Sequence, residues 1–390
     1  MLQHFFSDNL LTASSRIAPS STSHTGGCRL DKNEQSEDVE AAFKRRVIEK
    51  LVAADWNRYP AADHRDIEER VAQYCGLSPE NIVLSAGSAS LITTLLDYFA
   101  LQGKHIVITQ PSYSLFDYHC KTYNIPYEPW LLSPELEYDT RLLPELRPGS
   151  VLIVTSPNNP VGNTLPLSQL EHLLRTHPDS YVVLDGVYTE FCDADATPLL
   201  KEYPNLIILR SFSKAFPVAG LRLGYLCASP QTAAIVRKLV LQFSINHFSL
   251  LFAREMLADA AFMAAARKKV LDIIAERERL YQVLTDRFSP RALQVFPSAG
   301  NFLLMRIHDP AAFEKLMADL AQAGIKVLNT SGFSLLHGTF RVSVGTPQEN
   351  EAFLHCLSKS LPNSSQPAVS GSVLRIKLLA LRRSLQELRA

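Results

Sequence analysis

What this sequence lacks narrows it first. Its six cysteines, Cys28, Cys75, Cys120, Cys192, Cys227 and Cys356, are scattered along 390 residues with no C-x-x-C pair among them. That spacing argues against a metal site, and a chain of this length needs no disulfide staples, so the cysteines read as reduced core thiols. No apolar run reaches the roughly 18 residues that a membrane span needs. Met1 to Ser23 lacks both a basic start and a long apolar stretch of the secretory kind. The expected compartment is the cytoplasm. Net charge is missing too: 39 basic residues cancel 39 acidic ones, so the total offers no pull on nucleic acid or an anionic membrane. There is no internal repeat.

What the chain has is apolar mass and a set of strand-then-loop segments. At 46% hydrophobic residues it can bury a large core, and its length calls for one large and one smaller domain. The central stretch is Ser211-Phe212-Ser213-Lys214-Ala215, continuing through Ala219-Gly220-Leu221-Arg222-Leu223-Gly224-Tyr225, after the apolar run Leu206–Leu209. Such a run reads as a buried strand feeding a loop. A lone loop lysine is by default solvent-exposed. Here two hydroxyls precede it and an arginine follows, a pattern suited to a phosphorylated aldehyde cofactor: the lysine supplies the amine, and Ser211, Ser213 and Arg222 take the phosphate. The cofactor would be pyridoxal 5'-phosphate.

This stretch resembles the S-x-S-K-x-x-x-x-A-G-x-R-x-G-Y signature of class I/II aminotransferases, and the histidinol-phosphate aminotransferase branch in particular. Segments in that family's order run from about Leu30 to Leu361. The resemblance implies an α/β fold of the aminotransferase type (fold type I): a large domain with a mostly parallel central sheet, and a smaller α+β domain from N- and C-terminal segments. The division expected is an arm over 1–29, the N-terminal part of the small domain with an active-site loop over 30–60, the large cofactor domain over 61–270, the C-terminal small domain over 271–361, and a linker with an amphipathic helix over 362–390. In the last piece Leu374, Leu378, Leu381, Leu385 and Leu388 form a heptad-like stripe.

Further motifs extend the resemblance. Leu30-Asp31-Lys32-Asn33-Glu34-Gln35 is similar to the family's L-D-x-N-E-N, which lies over the active site, although Ser36-Glu37-Asp38 replaces its Pro-x-Gly continuation. Arg58-Tyr59-Pro60 resembles R-Y-P, whose tyrosine reaches the cofactor phosphate of a neighbouring subunit, which implies a homodimer. Ala86-Gly87-Ser88-Ala89-Ser90 stands for G-x-G-S-D-E without its acidic residues; the free N–H groups of a helix start, at Ser88 and Ala89, still suit a phosphate. Pro111-Ser112-Tyr113 resembles P-x-Y, whose ring stacks on the pyridine, while the residues alone leave Tyr113 equally a core aromatic. Ser156-Pro157-Asn158-Asn159-Pro160-Val161-Gly162 gives Asn159 as a donor to the phenolic oxygen. Asp185-Gly186-Val187-Tyr188 keeps the aspartate and tyrosine of D-E-x-Y, and it ends a strand, where open α/β sheets bind ligands. Phe340-Arg341-Val342-Ser343 gives Arg341 as the anchor of the substrate α-carboxylate.

The resemblance thus implies amino transfer between an amino acid, or histidinol phosphate, and a 2-oxo acid, in two half-reactions through a Schiff base on Lys214, with Asp185 holding the pyridine nitrogen protonated. Leu328 stands where related enzymes carry an arginine for the substrate phosphate, which favours an unphosphorylated donor, aromatic or aliphatic. The alternative reaction on the same residues is decarboxylation, as in threonine-phosphate decarboxylases. A regulatory, non-enzymatic role would need an appended DNA-binding module, for which the first 29 residues show no helical pattern. Pro297–Leu304 is expected to be a strand, and Gln231 to Phe288 a helical stretch with few breaks.

Overall fold

The structure, a computed structural model, describes residues 7–13 and 27–362. The leucine stripe from Leu374 to Leu388 lies outside them. The arm expected over 1–29 carries regular structure at two places. Asp8–Thr12 is a short helix, started by Ser7, whose side chain accepts from the Leu10 N–H. The arm then ends in β1 (Cys28–Arg29), held by parallel pairing with Ile325–Lys326 far along the chain. The first could be read only weakly from one capping serine, and the second depends on a distant partner.

Seven strands form the large sheet: β2 (Ile82–Ser85), β3 (Ile106–Gln110), β4 (Glu128–Leu131), β5 (Val151–Thr155), β6 (Tyr181–Asp185), β7 (Leu206–Ser211) and β8 (Gly224–Ala228), ordered β2-β8-β7-β6-β5-β3-β4. Neighbours from β7 to β4 are parallel, and β8 is antiparallel to both of its own. The expected α/β class with a mostly parallel sheet is therefore observed. Because both faces are covered, the strands read as continuous apolar runs. In β5, Val151 and Ile153 enter one core while Leu152 and Val154 enter the other. The edge strand β4 is mostly exposed and carries Pro129, which cannot donate to a ladder.

This topology brings the carboxyl ends of β2, β3, β5, β6 and β7 to one edge, since β2 runs in the same sense as β7 across the reversed β8. Four more strands, β9 (Gln294–Phe296), β10 (Phe302–Arg306), β12 (Leu328–Asn329) and β13 (Thr339–Ser343), form an antiparallel sheet ordered β12-β13-β10-β9; β11 (Ile325–Lys326) is the partner of β1. The strand expected from Pro297 starts only at Phe302, because Ser298 and Asn301 turn their side chains to local and distant backbone instead.

The helical stretch expected over 231–288 is three helices, Pro230–Arg237, His247–Ala258 and Ala260–Arg287. Residues 238–246 are not helical, and Asp259 is extended. The breaks have a local cause: Asn246 and Asp259 each accept a backbone N–H of the helix that follows, as N-caps do. Among the described residues no helix is long and apolar enough to cross a membrane.

Candidate active site

The carboxyl edge of the large sheet opens on a cavity of about 550 Å³. Its wall brings together Ser88, Ala89, Tyr113, Asn159, Asp185, Tyr188, Ser211, Ser213, Lys214, Arg222 and Arg341, with Leu328. Tyr59 alone among the residues singled out in the sequence is elsewhere: it is 80% exposed and stacks on Phe243, ring centroids 4.8 Å apart.

Lys214 gets its place from the turn after β7. The Ser211 side chain accepts from the Ser213 N–H at 3.1 Å and so starts the short helix Phe212–Ala215. The lysine Nζ donates to the Lys32 carbonyl at 2.9 Å. Burial first, and then the Arg341 and Arg222 guanidinium groups, bring its pKa down to about 8. A substantial share of the amine is then neutral near physiological pH, as a nucleophile or base requires.

Asp185 ends β6 and is 1% exposed. One oxygen accepts from the Val187 N–H, but Oδ1 has no partner, and burial pushes the carboxyl up to about 7. A buried carboxylate oxygen without a donor is costly unless a cation or a donor comes to it. Arg222 adopts a left-handed conformation (φ 51°) and donates to Ser213 Oγ at 3.5 Å and to the Ala219 carbonyl at 3.2 Å. Beside it the helix Ser88–Leu101 begins after Gly87 at φ 86°. A Cβ on Gly87 would stand 3.0 Å from Arg222 Nη2, and one on Gly224 only 2.4 Å from the Ser88 nitrogen, so glycine keeps both approaches open.

Arg341, on β13, is 4% exposed. Its Nη1 donates to Asn159 Oδ1, its Nη2 to the Asp31 carbonyl at 2.6 Å, and its Nε has no partner. Asn159 thus uses its oxygen on the arginine, and its Nδ2 is the atom turned to donate elsewhere. Tyr188 Oη accepts from Asn33 Nδ2 at 2.9 Å, and burial pushes that phenol up to about 12. Tyr113 lines the cavity and also packs edge-on against Phe116 of the adjoining core, so it takes part in both the wall and the core.

The segment 30–35 crosses the mouth in spite of its altered continuation. Asn33 is fully buried between Ser343 and Asn301, and Gln35 Nε2 reaches the carbonyls of Lys214 and Ala215, both at 3.1 Å. The sequence places the 30–35 segment over the site but does not show that the Lys32 carbonyl holds the lysine, and nothing in it marks Ser114 and Phe333, which share the wall. Backbone acceptors carry no sequence signal, and Phe333 sits in a loop with no motif around it.

Residues 25–357 match the family model for aminotransferase class I and II. The chain belongs to this family. A histidinol-phosphate aminotransferase of Thermococcus gammatolerans is 34% identical to it over 332 residues, 85% of this chain and 91% of that one. In fold it is similar to the histidinol-phosphate aminotransferase of Sinorhizobium meliloti, solved in complex with pyridoxal-5'-phosphate, at a TM-score of 0.74 and 23% identity over 90% of this chain and 98% of that one. It is also similar to an L-threonine-O-3-phosphate decarboxylase of Porphyromonas gingivalis, at a TM-score of 0.71 and 20% identity over 85% and 98% of the two chains. As an aminotransferase of these classes it is a pyridoxal-phosphate enzyme. The cavity fits that group on its own chemistry: an amine with a lowered pKa, hydroxyls, a guanidinium and a helix start for a phosphate, and an orphaned carboxylate oxygen for a ring N–H⁺.

Proposed function

We propose that this aminotransferase takes its amino group from an α-amino acid held by its carboxylate, and passes it to a 2-oxo acid in a second half-reaction. The observation that carries the reading is one cavity walled by Lys214, Asp185 and Arg341. Lys214 would hold the cofactor through its amine, and Ser211, Ser213, Arg222 and the N–H groups of Ser88 and Ala89 would hold the phosphate. Bound pyridoxal phosphate supplies an electron sink for the pair left when the substrate Cα–H bond breaks.

The chain's residues supply the rest. Asp185 would keep a negative charge for the ring nitrogen, Asn159 Nδ2 and the Tyr188 hydroxyl would be donors for the phenolic oxygen, and Tyr113 would supply an aromatic face for the ring. Arg341 and Asn159 would orient the substrate so that Cα lies within reach of Lys214 Nζ, which would take up and hold the Cα proton. Leu328 in the cavity wall supports an unphosphorylated donor over histidinol phosphate, the substrate in the name of the Thermococcus relative.

A homodimer belongs to the same reading. Trp56, Tyr59 and Leu241 are 70%, 80% and 77% exposed, and with Phe243 they supply apolar surface for a second copy, whose phosphate site Tyr59 would complete. The scattered free cysteines support a cytoplasmic setting. The domain division at 61–270 and 271–361 is supported by the sheets, one within Ile82–Ala228 and the other within Gln294–Ser343.

A single-turnover donor panel tests the function. The loaded protein, given one donor and no acceptor, should release a 2-oxo acid and no carbon dioxide from an amino acid, faster than it releases the corresponding ketone phosphate from histidinol phosphate, and Lys214→Ala should release none of these. Carbon dioxide in place of a 2-oxo acid would make the protein a decarboxylase; a strong preference for histidinol phosphate would mean that another residue supplies the charge absent at Leu328.

A further inference from the structure

A groove of about 460 Å³ runs between the segment 35–40, the helix Ala41–Val52 and the start of the helix Ala260–Arg287. Its floor is apolar. The rings of Phe43 and Phe262 meet there with centroids 4.6 Å apart, and Ala42, Ala261 and Ala265 lie exposed beside them. How near two helices come depends on the side chains between them, so the alanines leave room for a further helix. The rim is acidic: Glu37, Asp38, Glu40 and Asp259 stand against Arg46 and Lys269, four carboxylates to two cations. Glu37 pairs with Lys269 at 2.7 Å and Asp259 with Arg46, while Glu40 is exposed and makes no ion pair among the described residues. Gln35 and Pro217 close the groove on the side of the active site.

The sequence holds a segment of the matching kind. Leu374, Leu378, Leu381, Leu385 and Leu388 share one face at helical spacing, a stripe to which the catalytic reading gives no role. Around them stand Arg375, Lys377, Arg382, Arg383 and Arg389 against Glu387, five cations to one carboxylate. The reach is sufficient. Arg287 Nη1 donates to Ser358 Oγ at 2.8 Å, so the last described helix, Pro347–Ser360, ends beside the end of Ala260–Arg287, and the chain passes on from Pro362 at the surface. From Arg287 back to Lys269, at the near end of the groove, is about 27 Å along the helix, whereas the twelve residues from Pro362 to Leu374 span up to about 40 Å when extended.

We propose that residues 374–388 dock in this groove of their own chain as an amphipathic helix, leucines on the Phe43–Phe262 floor and cations along the acidic rim. The seated segment also braces residues 30–38 over the active-site mouth, because Gln35, which bonds the Lys214 and Ala215 carbonyls, forms part of the wall it presses on.

Hydrogen exchange of the full chain, followed by mass spectrometry of its peptides, tests both parts. Leu381→Asp with Leu385→Asp leaves every described residue unchanged, so the fold is not at stake. The double variant should exchange at least about 10-fold faster over 41–46 and 260–268, the worth of burying one leucine, and faster over 30–38 as well. Ala265→Arg, at an exposed helix position that suits arginine, fills the groove with a cation and should speed exchange over 374–388 in turn. Exchange of 374–388 at the free-chain rate in the wild type overturns the proposal. So does protection of that segment that ignores Ala265→Arg, which would seat it on another face, and protection lost on dilution, which would give the groove to a second copy. A groove that responds while 30–38 does not would strike the bracing and leave the docking.

Discussion

The two titrating groups of the site, Lys214 and Asp185, are displaced toward neutrality by the same burial: the lysine down to about 8, the aspartate up to about 7. In the cofactor-free protein this has a consequence for stability. The folded chain holds the Asp185 proton up to about pH 7, whereas the unfolded chain releases it near the ordinary value of 3.8, so folding is favoured less and less as pH rises through that window. Asp185→Asn removes the ionisation and keeps the shape. Cofactor-free Asp185→Asn should accordingly melt above the wild type at about pH 8, with the gap closing as pH falls toward about 4. Aminotransfer by the loaded variant should drop by orders of magnitude, because a neutral amide cannot hold the ring nitrogen protonated. Thermal melts at both pH values check the first part and single-turnover rates the second; a wild type more stable than the variant at the higher pH would show that another group already pairs with the buried carboxylate.

At the scale of elements, the phosphate end depends on how closely β8 approaches the start of the helix Ser88–Leu101. A methyl on Gly224 would lie 2.4 Å from the Ser88 nitrogen, 2.8 Å from the Gly87 carbonyl carbon and 3.0 Å from the Arg210 carbonyl oxygen. All three are backbone atoms, so nothing can swing aside. Gly224→Ala should cost about 1–3 kcal/mol of stability, the usual scale of overpacking, and should weaken cofactor binding by tilting the helix start; a melt with a cofactor titration measures both. The sequence showed Gly224 only as a letter of a signature, and the reason for it is a contact with a strand some 140 positions earlier, between β8 and β2. Helix ends were the opposite case. Asn246 and Asp259 are capping residues in plain sight, but the apolar periodicity around them ran on and hid the breaks.

For the whole molecule, the exposed group of Trp56, Tyr59, Leu241 and Phe243 is the surface on which the proposed homodimer stands. Leu241→Asp places a charge that would have to be buried in that interface. It should shift sedimentation from dimer to monomer and weaken cofactor affinity, since Tyr59 would no longer reach a neighbour's phosphate site. A variant that stays dimeric with unchanged affinity would move the interface to another face.

Short runs of residues sufficed for part of this protein: the strand that feeds Lys214, the aspartate at the end of β6, the asparagine loop after β5 and the arginine of β13 each carry their chemistry within a few positions, so the sequence alone located ten of the cavity's side chains together with Leu328 and Ala89. Apolar runs located the strands, and the resemblance to the aminotransferase motifs singled out the residues at their ends. What the tertiary structure decided is everything that depends on distant partners. It set Lys214 against the Lys32 carbonyl, gave the Asn159 oxygen to Arg341 so that its amide nitrogen is left to donate, buried Asn33 beneath Ser343, and left the buried Gln110 Nε2 without an acceptor. A backbone carbonyl looks the same at every position of a sequence, and an unpaired amide is defined only by what the fold fails to bring to it.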